Sequence, residues 1–521
     1  MGMVAPQQRI ASAFFVIHGQ YGDVGRYAQE RGVCRQWVYR EAGWVRQVLT
    51  ERQVELERLR ARVRQLEQRQ TELEQRLARA VVIDEEKQAE LTSVAQARGV
   101  TLRDCQELLE VLIPGQVLSV ASLGRRSQAA AAKAGQLLEV LDEWTRERVH
   151  ESAADEIYVN DPVLMVVEPE SLCWISGRRS DQVTGEAWGQ ELAVLPNLEQ
   201  VTRDGGNALE KGVALVNAER QARGETRMVV DQGDHFHALR GGRVGLNKAQ
   251  RQARQALAEA EAAQQELDAC ARHGQAQTRA AVRASFAWKR AEQAMDTWQE
   301  RERLWHQTKE ALQLVTPTGE LNTRQQAQEV LAQTLPQLPD RDFAKTKRQL
   351  QRPEMLNYLD RVQQKLAALP YPEEVKQAAV RQEGLRRRPE ALQGDHVQAT
   401  ARRGIMLLCA VVLSKAGTSG QEAVAAVRDV FRRAYRASSL VECINSVLRM
   451  QQAGHRQMTQ GLLDLKRLYW NCHTFRAGRR RGTSPYQRLG VRWPEGLRWW
   501  DMLKLTPAQL SDKLSTAKMA A

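Results

Sequence analysis

The chain reads as a mixed α/β protein that is preceded and interrupted by all-helical segments. Three observations predict this: helical hydrophobic spacing over the first ~150 residues, a switch to period-two alternation near residue 154, and a return to helical patterning after residue 243. Its 521 residues suffice for about three or four domains. Lysine and arginine total 76 against 63 acidic residues, a net charge of +13, which favours a polyanionic partner, nucleic acid first. The seven cysteines show no CxxC pair and no zinc-finger spacing, so structural zinc and a disulfide framework are not expected and a reducing compartment is. The longest strongly apolar run, residues 405–413, is shorter than the ~20 residues a membrane span needs, and the N-terminus lacks signal-peptide features. No membrane association is therefore expected, and a cytoplasmic protein associated with DNA is.

Residues 1–48 predict short helices in which Ala28 and Gly32 stand in the Ala-x3-Gly relation of a helix-turn-helix, the small residue permitting close crossing and the glycine the turn. The helix after the turn carries Arg35, Gln36, Trp37, Tyr39 and Arg40, a donor-rich set suited to a major groove. A tight helical hairpin with no DNA role has the same signature. Within residues 49–77, Leu56, Leu59, Val63, Leu66, Leu73 and Leu77 alternate three and four steps apart, with Gln70 at the one polar seam position between Leu56 and Leu77. Such a heptad run suits either a helix packed on its own chain or a dimerising coiled coil. A second Ala-x3-Gly pair, Ala95 and Gly99, precedes a helix bearing Arg125 and Arg126, so residues 81–150 read as a second helical DNA-binding region.

At residues 154–159 the sequence ADEIYV alternates, Asn160-Asp161-Pro162 is turn chemistry, and VLMVV (163–167) and LCWIS (172–176) predict two more strands. A helix, a strand ending at Asp204-Gly205-Gly206, another helix and a last strand follow. The order β-β-β-α-β-α-β matches a ribonuclease H-like arrangement. A helical insertion is expected over residues 246–400, with Trp288, Trp298 and Trp305. The α/β domain then resumes over 401–490, starting with an apolar helix that covers the sheet, and residues 491–521 form a C-terminal tail.

Asp155 falls on the first strand, Asp204 at the end of the fourth, and Glu442 on a helix beyond the insertion. In a ribonuclease H sheet the first and fourth strands are neighbours, so these carboxylates are candidates to hold two divalent cations for phosphodiester chemistry. Asp161 competes for the first role but sits where a turn favours aspartate anyway, and Glu156 points to the opposite strand face.

With these residues on the page, the sequence resembles the DDE transposases over residues ~150–245 and ~400–490. The resemblance rests on DEIYV with VLMVVEPESLCWI, on VTRDGG, on Glu442 followed by Arg449, on LYWNCHTFRAGRRRGTSPYQRLG, and on Asp234-x2-His237, similar to the signature of families with a split catalytic domain. A departure is Ser438, where bacterial relatives often carry arginine before the glutamate. The resemblance implies a ribonuclease H-like catalytic domain split by an all-α insertion, and Asp155, Asp204 and Glu442 as catalytic metal ligands for two Mg²⁺ ions, with Mn²⁺ able to substitute. His237 and Arg449 would support the site, while Arg35, Arg40, Arg125 and Arg126 are the candidate DNA contacts. It implies double-stranded DNA partners, terminal inverted repeats and target DNA, and a homodimer or higher oligomer. A non-catalytic DNA-binding protein, either a regulator or a domesticated transposase, and a nuclease of the same fold without strand joining are the competing readings.

Overall fold

The computed structural model describes residues 5–79, 83–113, 118–388, 396–452, 454 and 457–519. The chain forms two compact units, Met1–Asp84 and Glu85–Ala521.

In the first unit, helices Pro6–His18 and Asp23–Glu30 pack against the start of a third, Arg35–Arg79. Ala28 is buried at the crossing with Tyr27 and Val38, and Gly32 takes the left-handed conformation, φ +62°. That conformation lets the Val33 amide donate to the Ala28 carbonyl at 2.9 Å and end the second helix. The third helix does not stop at residue 48: it continues without a break through the heptad run, so the two segments expected from sequence are one rod.

The second unit is built on a five-stranded sheet. Strands β1 (Glu151–Val159), β2 (Asp161–Glu168), β3 (Cys173–Arg179), β4 (Gln200–Arg203) and β5 (Val230–Gly233) lie in the order β3-β2-β1-β4-β5. β1, β2 and β3 form an antiparallel meander, whereas β4 pairs parallel with β1 and β5 parallel with β4. Period-two alternation sends Ala154, Leu164 and Val166 to one face and Ala153, Ile157, Val163 and Met165 to the other. Helices Gly185–Ala193, Asn207–Ala222 and Val120–Arg146 cover the first face, and helix Ser439–Gln452 covers the second.

Three expected boundaries move. Helix Val120–Arg146 places Leu137, Leu138 and Leu141 in the main core, so it belongs to the α/β body rather than to a separate DNA-binding segment. The apolar segment at 404–413 lies in helix His396–Lys415, and its Cys409 and Leu413 join a second, all-helical core with Ala423, Val427 and Phe431 instead of covering the sheet. The insertion therefore extends to about residue 432, because these apolar faces match the insertion's helices and not the strands. The C-terminal segment is no tail: Trp500, Met502, Leu510 and Leu514 complete the main core. Helix His396–Lys415 also contains a 19-residue stretch, Val397–Lys415, long and apolar enough by length and composition to cross a membrane. Its strongly apolar centre, residues 405–413, is flanked by alanine and glycine, and Arg402 and Arg403 interrupt it.

The insertion opens with helix His235–Arg272, which pairs antiparallel with Thr278–Ala311 through buried alanines, among them Ala249, Ala253, Ala284 and Ala291. At the base of this hairpin a Cβ on Gly242 would stand 2.0 Å from the Trp305 ring. Gly242→Ala is expected to overpack this contact and destabilise by about 1–3 kcal/mol, read as a lower melting midpoint. Gly404→Ala, which meets nothing within 4 Å, should cause no loss.

Candidate active site

The parallel register pairs Ala154 with Arg203 as its last pair, so the next residues emerge side by side: Asp155 midway along β1, and Asp204 just past the end of β4. Buried Arg203 backs this corner. It makes a two-pronged hydrogen bond to Asp231 at 2.7 and 2.6 Å and donates to the Asp204 carbonyl at 2.9 Å. The Gly206 amide donates to Asp204 Oδ1 at 2.9 Å, fixing that carboxylate in its turn. Helix Ser439–Gln452 lies over β1 and brings Glu442 and Asn445 down onto the same corner, where Asn445 Nδ2 donates to Asp155 Oδ2 at 2.9 Å.

Glu442 is held from both sides. Its Oε2 pairs with Arg449 at 2.9 Å, and its Oε1 lies 3.6 Å from His237 Nε2. His237 Nδ1 in turn meets Asp234 Oδ2 at 2.5 Å. Asp234 is the amino-terminal cap of helix His235–Arg272, accepting from the Phe236 amide at 2.7 Å. It also accepts from the Ser438 amide at 3.1 Å and hydroxyl at 2.6 Å, and so grips the start of the helix that carries Glu442. Asp234 is thus a positioning group, and Ser438 has its own partner where an arginine was expected.

The electrostatics follow from this crowding. Burial and then the charges of Asp204, Glu442 and Glu156 push the Asp155 carboxyl up to about 7. Burial opposes ionisation of Asp234, but hydrogen bonds from His237, Ser438 and Phe236 outweigh it and hold this carboxyl below its usual range. The bond to Asp234, with the charges of Asp155 and Asp204, raises His237 and favours its cationic form.

Glu156 departs from its expected isolation. It lies on the opposite strand face, yet the space beside Gly206 is bordered by Asp204 Oδ1 at 3.0 Å and Glu156 Oε1 at 3.6 Å from the position a Cβ would take. Glu156 Oε2 is buried without a hydrogen-bond partner, and burial followed by the Asp204 charge raises this carboxyl. Asp161 stands apart, at the hairpin turn and ion-paired with Arg179.

Four carboxylates with an orphaned buried oxygen form an oxygen-rich donor set suited to a hard divalent cation. Among the described residues no three acidic, histidine or cysteine side chains stand in a closed ligand cluster as they are oriented. Rotation of Asp155, Asp204 and Glu442 would be needed to hold an ion between them.

The candidate DNA contacts divide. Arg35 and Arg40 are exposed on one helix face with Gln36 and Tyr39, and Arg125 is exposed. Arg126 instead donates to Gln88 Oε1 at 2.9 Å and ties two helices of its own domain together. The second Ala-x3-Gly turn is likewise an internal corner. Gln451 sits against Gly99, and buried Lys466 Nζ donates to the Gln96 carbonyl and to Gln451 Oε1, both at 2.8 Å.

An unfolded chain releases the Asp155 proton near 3.8, the folded chain only near about 7. The native state therefore binds more protons over that interval and, without a cation, loses stability as pH rises through it. Asp155→Asn removes the loss. In chelator at about pH 8 the variant is expected to melt about 2 °C or more above the wild type, with the gap closing toward about pH 4. Added Mg²⁺ should raise the wild-type midpoint and leave the variant's unchanged. Equal midpoints in chelator would mean that Asp155 is not held among uncompensated charges.

No protein-family model matches the chain, and no curated protein or solved structure does.

Proposed function

We propose that the protein is a DDE transposase: it binds the ends of a DNA element, cleaves DNA strands by metal-dependent hydrolysis and joins the freed 3′-OH to target DNA. The observation that carries this reading is the meeting of Asp155, Asp204 and Glu442 at one corner of the sheet, from three distant stretches of sequence. The strand order β3-β2-β1-β4-β5 and the third acid arriving on a helix after an all-α insertion both agree with a split ribonuclease H-like domain.

Asp155, Asp204 and Glu442 would hold two Mg²⁺ ions, with Mn²⁺ as a substitute and Glu156 as a further oxygen close by. Bound there, the cations supply activation of the attacking oxygen and stabilisation of the leaving one. The chain's own groups do the rest. His237, kept cationic by Asp234, can donate Nε2–H to a phosphate oxygen, and Arg449 relieves the charge on Glu442 until a cation takes that role.

A cleft of about 540 Å³ opens on the adjoining turns of helix His235–Arg272, lined by Phe236, Arg240, Arg243, Trp298 and Lys309. Its mix of cations and aromatic rings suits a DNA strand leaving the site. Of the insertion's tryptophans, Trp305 is 3% exposed and serves the core. Trp298, which lines the cleft, is the candidate to stack on a base. In this reading the protein works on double-stranded DNA in the cytoplasm, engaging terminal inverted repeats and a target site as an oligomer.

Asp155→Asn, Asp204→Asn and Glu442→Gln are each expected to slow Mg²⁺-dependent cleavage of labelled duplex from the DNA flanking the gene by about a hundred-fold or more, with DNA binding intact. The catalytic reading is wrong if all three cut like the wild type in both Mg²⁺ and Mn²⁺. If Asp155→Asn cuts and Asp161→Asn does not, the first acid is misassigned.

Arg35→Ala with Arg40→Ala should weaken duplex binding by the full chain and flatten its dependence on log salt by about one to two in slope. Electrophoretic shifts across a salt series measure this. An unchanged slope would remove these arginines from the DNA interface.

A further inference from the structure

Helix Arg35–Arg79 changes character along its length. Ala42 and Val45 are buried against Ala13 of the first helix. Seven residues further on, and at each heptad after that, the same stripe emerges with nothing on it. Leu49, Leu56, Leu59, Val63, Leu66, Leu73 and Leu77 are each between 52% and 70% exposed. Most helical stability in proteins comes from packing an amphipathic face, and an exposed apolar stripe of this kind is a docking surface.

The occupant can be read from the flanking charges. With Leu49, Leu56, Val63, Gln70 and Leu77 at heptad positions a, and Arg52, Leu59, Leu66 and Leu73 at d, the g positions hold Glu55, Arg62 and Arg69, and the e positions hold Arg60, Glu67 and Glu74. In a parallel, in-register pair each g residue faces the e residue of the next heptad on the other helix. The facing pairs are then Glu55 with Arg60, Arg62 with Glu67, and Arg69 with Glu74, all of opposite sign. Antiparallel pairing centred on the Val63 and Leu66 layers also sets Glu55 against Arg76 and Arg60 against Glu67, but it sets Arg62 against Arg69 on both flanks, so the parallel pair alone has every facing charge matched. Gln70 meets its own copy only in the parallel register, where a polar a position fixes alignment.

We infer that this helix forms a parallel, in-register two-stranded coiled coil with a second copy of the chain, which holds two N-terminal three-helix units at the same end of the coil. Two such heads read paired half-sites rather than a single one, as in other dimeric helical DNA readers. This pairing is independent of the catalytic reading, since it uses no residue of the acidic site.

Light scattering and sedimentation of the full-length protein test it. The wild type is expected to be a dimer, and Leu59→Asp with Leu66→Asp a monomer. Arg62→Glu with Arg69→Glu turns every contact those residues make repulsive in the parallel pair, and should weaken self-association by on the order of ten-fold or more. The same exchange leaves the antiparallel clash as repulsive as before. Glu67→Arg with Glu74→Arg should fail alone in the same way, and an equimolar mixture of the two charge variants should recover the dimer. A monomeric wild type, a dimer that survives the two aspartates, or an Arg62→Glu/Arg69→Glu variant that self-associates like wild type would each overturn the inference. Recovery in the mixture also shows that the charge variants fold.

Discussion

The acidic corner depends on one buried carboxylate. Asp234 follows β5 directly, and its amide donates to the Arg203 carbonyl at 2.7 Å, at the end of β4. Its side chain satisfies the amino terminus of the helix that leaves the sheet and the amino terminus of the helix that returns to it, 204 residues later. Helix starts carry unpaired amides and partial positive charge, and the hydrogen bonds from His237, Ser438 and Phe236 together outweigh the burial of this carboxylate and favour its ionised form. Because the returning helix bears Glu442 and Asn445, the position of both relative to Asp155 is set by this anchor.

The same arrangement explains how the fold tolerates so much negative charge. Asp204, Glu156 and Glu442 surround Asp155, and each added anion makes the next harder to ionise. Two cations offset part of this: Arg449, reached by one side of Glu442, and His237, reached by the other. The bond to Asp234 raises His237 and favours its cationic form, so the anchor that fixes geometry also favours the compensating charge. Asp155 has only a neutral amide donor from Asn445, and it is the group whose ionisation is most strongly opposed. In the proposed reading a bound cation would be the counterweight, since functional clusters commonly cost stability without their ligand.

Much of this was legible in the sequence. Strand alternation and turn chemistry located the meander, and the fourth strand ending at Asp-Gly-Gly located Asp204, because those signals are local. What was not legible depends on tertiary packing. An apolar helix such as residues 404–413 carries no mark saying which core it enters, and it entered the insertion's core beside Phe431. Arg126 looked like a phosphate contact until Gln88 claimed it. Glu156 was set aside by strand parity, correctly for its face, but where β1 runs on past the end of β4 a long side chain reaches a neighbour lying beyond the last paired residue. Ser438 and Asp234 had visible signals, a serine and an aspartate each directly before a helix, but only folding shows that they cap jointly.

An insertion of some two hundred residues can sit inside the sheet domain because its two ends touch. The His235 amide donates to the Arg436 carbonyl at 2.9 Å, beside the Asp234 to Ser438 contacts, so the sheet sees the insertion as a short closed loop whatever its length. Closure entropy grows slowly with loop length, and the insertion offsets it with its own apolar core. The junction is nevertheless not insulated. Arg436 reaches the Leu312 carbonyl and, at 3.2 Å, the side chain of Gln313, both at the end of the long helical hairpin. The residue two places before Ser438 is therefore fastened to the insertion's core, so that core and the helix start that positions Glu442 share one anchoring stretch of chain.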